Sequence, residues 1–206
     1  MREAKAQAIN VLVIVLGLGL AFQLGHFAEH AVQFVIWISG NYPWVAENFC
    51  GRGMPYMSPP ATEMVRWLGT HLFPGATPAR QMMVGMELLH LIGNIIFLST
   101  IAGVFCLFPI SLVRYALYIE GAHLCEHIAL TLSAYFVGKP IGLSTIFGHA
   151  QSLWGVEAAV GYRVTFHFLM NLLPMPFVMM ALMHQWSAAR AFANIRQASS
   201  VWVQRV

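Results

Sequence analysis

The chain has 206 residues, 58% of them hydrophobic and only 9% charged, whereas a soluble domain carries roughly 25% charged residues. That balance excludes an ordinary soluble globular protein. The net charge of +3 comes from scattered basic residues, with no aromatic-laced basic patch, so no nucleic-acid partner is expected.

Four apolar runs are long enough to cross a bilayer, roughly 9–38, 82–108, 111–137 and 162–184. The first follows Arg2 and Lys5 in the manner of a signal peptide, but it outlasts a normal apolar segment of that kind and shows no clear small-x-small cleavage site. It reads as a retained first helix. The connection 39–81 is rich in proline (Pro43, Pro55, Pro59, Pro60, Pro74 and Pro78), with a short helix predicted from Thr62 to Phe73. The third connection, 138–161, is rich in glycine and apolar residues and predicts a loop with a short interfacial or re-entrant segment. The tail 186–206 places Arg190, Arg196 and Arg205 among Phe192, Ile195 and Trp202 at helical spacing, the pattern of a basic amphipathic helix on a membrane surface. The expected organisation is a transmembrane domain over 1–185 followed by this tail.

Arg2, Lys5, Arg114, Arg190, Arg196 and Arg205 fall at one set of helix ends. The positive-inside rule therefore puts both termini in the cytoplasm of a cell inner membrane, although Arg52, Arg66, Arg80, Lys139 and Arg163 lie on the other side. The three cysteines, Cys50, Cys106 and Cys125, form no C-x-x-C and read as isolated small residues.

The chemistry concentrates in one repeated motif. Gln23-Leu-Gly-His26-Phe-Ala-Glu29-His30 and Glu120-Gly-Ala-His123-Leu-Cys-Glu126-His127 both read [Q/E]-x-x-H-x-x-E-H. At 100° per residue, the polar positions of each copy share one narrow helix face. The second run carries Glu87-x-x-His90-x-x-x-Asn94, and the fourth carries His167-x-x-x-Asn171 with Val164 where the glutamate would stand. The expected fold is all-α, a polytopic four-helix transmembrane bundle made of two tandem hairpin repeats (about 9–108 and 111–184) related by an axis along the membrane normal. At 1.5 Å per residue, His30, His90, His127 and His167 all lie about 8–15 Å from the exoplasmic helix ends, in the outer half of the bilayer.

A carboxylate near the centre of a membrane helix costs roughly 3 kcal/mol even on a mild scale. Glu29, Glu87 and Glu126 persist beside six histidines only if the cluster satisfies itself or binds cations. His26, Glu29, His30, Glu87, His90, His123, Glu126, His127 and His167 are nine candidate ligands, too many for one tetrahedral ion and suited to two ions of higher coordination, as in four-helix carboxylate sites. Gln23, Asn94, Glu120 and Asn171 lie one turn away as partners for the free imidazole nitrogens. Nitrogen and oxygen ligands without thiolate suit iron first, then copper, zinc or manganese. A bis-histidine haem b is the alternative cofactor.

In ligand chemistry, His26-x-x-x-His30 and His123-x-x-x-His127 resemble the H-x-x-x-H boxes of histidine-rich integral-membrane di-iron oxygenases and desaturases. No H-x-x-H-H box accompanies them. More broadly, the chain resembles small multi-pass prokaryotic membrane proteins with paired H-x-x-E-H helices. The resemblance to the oxygenases implies an oxygen-activating oxidase or hydroxylase centre served by a redox partner. Two other functions stay open from the residues alone: a non-catalytic metal- or haem-binding subunit of a larger membrane complex, and a zinc hydrolase with Glu87 or Glu120 as base. The inner halves of the helices are almost wholly apolar, which argues against ion transport.

Overall fold

The architecture is that of a computed structural model describing residues 2–107 and 109–184, and every regular element among them is helical. Helix α1 (Arg2–Ile38) is followed by the single turn α2 (Tyr42–Val45), which runs into a π-helical turn at Ala46–Cys50. Then come α3 (Pro59–Leu72), α4 (Pro78–Leu107), α5 (Ser111–Phe136), the short α6 (Ala150–Trp154) and α7 (Val156–Leu172), with α8 over 174–184. The tail expected to be amphipathic lies outside the described residues.

The breaks follow backbone chemistry. Pro59 and Pro60 occupy the first turn of α3, where a missing N–H costs nothing, so the helix starts earlier than Thr62. Pro109 separates α4 from α5, and Pro174 follows the turn at Leu173 that ends α7. Helix α7 begins at Val156, inside the stretch expected to be loop, because Gly155 at φ 85° supplies the sharp entry that a Cβ-bearing residue resists.

Three stretches are long and apolar enough to cross a membrane: Asn10–Ile38, Pro78–Leu107 and Val156–His184. Helix α5 is not among them. Arg114, Glu120, His123, Glu126 and His127 dilute its hydropathy, and the last four of these side chains are buried. The other helices turn apolar side chains outward, including Val13, Ile14 and Leu18 on α1, as a bilayer environment allows.

Helix α1 packs on α4 and α7, α4 on α5, and α5 meets α7, closing a four-helix ring with α3 against the outside of α4. The α3–α4 approach is very close. A Cβ on Gly69 would stand 2.2 Å from the Gln81 carbonyl oxygen, and one on Gly85 would stand 2.2 Å from that of Val65. Near the α4–α5 turn the ring is filled by Leu16, Phe97, Ile101, Val113, Val178 and Ala181, all buried. At the opposite end, where the connections 39–77 and 137–155 lie, the bundle interior becomes polar.

Candidate metal centre

Six imidazoles from four helices meet inside the ring. His26 and His30 come from α1, His90 from α4, His123 and His127 from α5, and His167 from α7. The rings form one continuous cluster: His30 and His90 have centroids 5.3 Å apart, His90 and His127 5.2 Å, and His127 and His167 4.9 Å. Within it are two triads, His26/His30/His90 and His123/His127/His167. In each triad one ring nitrogen per residue lies within 4.8 Å of the others. His26 and His90 are half-buried and the other four are buried.

Helical spacing explains the pairs. Residues i and i+4 stand one above the other, so His26 and His30 bring their Nε2 atoms to 3.3 Å, and His123 and His127 bring theirs to 3.2 Å. Two nitrogens each bound about 2.0–2.1 Å from a tetrahedral ion are roughly 3.3 Å apart. Both pairs thus already have the spacing of one edge of a coordination shell.

The outer nitrogens set the tautomers. Nδ1 of His90 lies 2.7 Å from the Met86 carbonyl, and Nδ1 of His167 lies 2.8 Å from that of Arg163. A carbonyl only accepts, so each Nδ1 carries the proton and each neutral ring presents a bare Nε2 lone pair. His30 behaves likewise. Its Nδ1 donates to Gln33 Oε1 at 3.0 Å, while the Gln33 amide nitrogen donates to the Tyr56 carbonyl at 2.7 Å. The bare Nε2 of His30 can accept from the Nε2–H of His26 at 3.3 Å, whereas that of His167 faces the cluster unengaged. Nε2 of His167 and Nδ1 of His123 and of His127 have no hydrogen-bond partner among the described residues.

The carboxylates are arranged differently from the expectation that Glu29, Glu87 and Glu126 are ligands. Glu29 accepts the Ser58 N–H at 2.5 Å, at the N-cap of α3. Glu126 accepts the N–H groups of Leu143 at 2.9 Å and Ser144 at 2.8 Å, within the 3-10 turn Leu143–Thr145. A glutamate one residue before the second histidine is rotated about 100° from it. Both side chains therefore leave the imidazole line and tie the following connection to the helix. Glu87, fully buried, pairs with the guanidinium of Arg163. None of the three joins either triad.

The second set of expected partners also divides. Only Glu120 approaches an imidazole, with Oε2 at 3.5 Å from Nδ1 of His123. Both groups are fully buried, and neither Glu120 oxygen has a hydrogen-bond partner among the described residues. Asn94 and Asn171 instead donate to the carbonyls of His90 and His167, one turn back, at 2.8 and 2.9 Å. Gln23 donates to Asn171 Oδ1 at 2.8 Å. At His90 and His167 the backbone carbonyl takes the imidazole N–H because helical geometry already holds the i−4 carbonyl within reach.

Arg163 and Gln33 were absent from the expected site. Both had a legible signal: Gln33 stands three residues after His30 and Arg163 four before His167, each on the histidine face of its helix. Of the remaining histidines, His71 is exposed and bonds the Trp67 carbonyl, while His149 and His184 are exposed. All three lie outside the cluster. Cys106 and Cys125 are exposed, Cys50 is half-buried and all three are free thiols.

A cavity of about 20 Å³ reaches the cluster, bordered by His30, His90, His167, Met57, Met86 and Arg163. It holds about one water-sized molecule.

A family described as a family of unknown function, DUF6008, matches residues 1–203. The chain belongs to DUF6008. Comparison of this DUF6008 member with the curated proteins and with the solved structures gave no match.

Proposed function

We propose that this DUF6008 member is an integral-membrane protein whose four-helix bundle holds two transition-metal ions, each on three imidazoles. The observation that carries this reading is the convergence of the six rings as two triads, with tautomers that leave Nε2 bare on His30, His90 and His167. Left unpaired, the buried Nε2 of His167 costs roughly 1–3 kcal/mol. Bound ions turn that cost into ligation.

Helix α5 is the fourth span, its polar face turned inward and satisfied by the centre. Two hairpin repeats account for the parallels between α1 with α4 and α5 with α7: paired histidines, a single histidine bonded to its i−4 carbonyl, and an asparagine bonded to the histidine carbonyl. The termini face the cytoplasm, and the centre lies in the outer half of the bilayer.

The donor set bears on metal and reaction. A mixed imidazole and carboxylate set suits iron. With Glu29, Glu87 and Glu126 engaged elsewhere, an imidazole-only set suits copper or zinc at least as well. Haem fits poorly, because the rings pack 4.6–5.9 Å apart and leave no slot for a macrocycle. The cavity of about 20 Å³ admits dioxygen or water but no lipid or organic substrate. The function these features support is an oxidase-type centre that binds dioxygen and reduces it, rather than a hydroxylase. Two redox-active ions would supply two electrons, which with two protons convert dioxygen to hydrogen peroxide. A membrane-borne one-electron donor would then restore the electrons.

Metal content per chain, measured by mass spectrometry with an absorption spectrum of the same sample, tests this. Close to two copper or iron ions supports it, and two zinc ions would keep the centre but remove the oxygen chemistry. A Soret band with one iron, or no metal after reconstitution, refutes it.

A further inference from the structure

A second cavity, of about 140 Å³, lies under the connection 137–155 and is bordered by Gly53, Lys139, Ser144, Gln151 and Arg163. Arg163 borders this cavity and also the small chamber at His30, His90 and His167. Among the described residues it is the one bordering both, and its guanidinium is held by Glu87. Ser144 lines the outer cavity, is fully buried, and its Oγ has no hydrogen-bond partner among the described residues. The cavity therefore presents two cationic side chains and an unengaged hydroxyl in a space that fits a few heavy atoms.

Charge points the same way, and this part rests on the two-metal reading. Two divalent ions bring four positive charges and neutral imidazoles bring none. Glu29 and Glu126 keep their negative charges on backbone N–H groups and Glu87 neutralises Arg163, so with Glu120 the carboxylates offset at most three of those four charges. A net excess of positive charge in a low-dielectric interior is unfavourable until an anion offsets it.

We infer that the cavity between Lys139 and Arg163 is the entry and binding site for a small monovalent anion on its way to the histidine cluster, with the Arg163–Glu87 pair as the gate. Lys139 raises the local anion concentration at the mouth, Ser144 donates its hydroxyl, and Arg163 passes the anion from the outer cavity to the inner chamber. Larger anions, such as a lipid headgroup phosphate with its chains, do not fit the volume.

Azide, followed by its infrared stretch, is the probe, titrated into the full-length protein in detergent before and after metal loading. A band shifted from free azide is expected to saturate in both states, with a further shifted band once metal is present. Lys139→Gln is expected to weaken binding about threefold. The double variant Arg163→Gln/Glu87→Gln, which keeps a hydrogen-bondable pair and avoids a lone buried charge, is expected to weaken it at least tenfold. If the wild-type chain takes up no metal yet shows a saturable shifted band that both variants weaken, the two-metal reading fails and the anion site stands. A metal-dependent band unchanged in both variants overturns the entry route, and no shifted band in any form overturns the anion site.

Discussion

Replacing Glu126 by alanine separates a ligand from a strap. The Glu126 carboxylate accepts two N–H groups, at 2.9 Å from Leu143 and 2.8 Å from Ser144. Leu143 is 51% exposed, so its amide regains water when the carboxylate goes. Ser144 is fully buried, and its amide would be left unsatisfied at roughly 1–3 kcal/mol. Loss of the charge-assisted bond to Leu143, partly offset by hydration, adds about 1 kcal/mol. The expected penalty is about 2–4 kcal/mol for keeping the turn Leu143–Thr145 docked, which is roughly a 30- to 700-fold rise in its opening. Hydrogen exchange of the Leu143 and Ser144 amides reads that opening directly, and metal content is measured on the same sample. The expected result is fast exchange at these two amides with metal stoichiometry unchanged. A variant that loses an ion while both amides stay protected would make Glu126 a ligand and refute the strap. Glu126→Gln, which keeps one acceptor, should fall between wild type and alanine.

Other consequences are open to direct measurement. Arg163→Leu leaves Glu87 buried without its partner and should lower stability by about 3–5 kcal/mol. Adding Glu87→Leu should recover most of that in thermal unfolding, and the pair is not a structural unit if the double variant is no better than the single. His167→Ala and His26→Ala each remove one imidazole from a different triad, so each should reduce the bound metal from two ions toward one. Loss of both ions in either variant would argue for a single shared site. Gly85→Val drives a side chain into the Val65 carbonyl across a 2.2 Å gap. It should release α3 to limited proteolysis while the four-helix ring persists. Gln23→Leu removes its buried 2.8 Å bond to Asn171. It should cost about 1 kcal/mol by the same unfolding assay, and no measurable change would mean that the link between α1 and α7 is carried by other contacts.

Much of this protein is determined locally, and the sequence shows it. Apolar length marks the long helices, prolines mark their ends, and a spacing of four places His26 over His30 and His123 over His127 whatever the rest of the chain does. The same helical arithmetic identifies His90 and His167 as facing inward with their paired asparagines. What the glutamates do was not determined locally. Glu29 and Glu126 share the motif with the histidines, but their use depends on backbone N–H groups 29 and 17–18 residues away, and only the return of the connections over the bundle end brings those donors within reach. The partner of Glu87 is likewise 76 residues distant on another helix. The division of six histidines into two triads, and the absence of carboxylates from both, are decided by how four helices pack. A helix sets the direction of each side chain, and only the neighbouring helix and the covering loop determine which atom it meets.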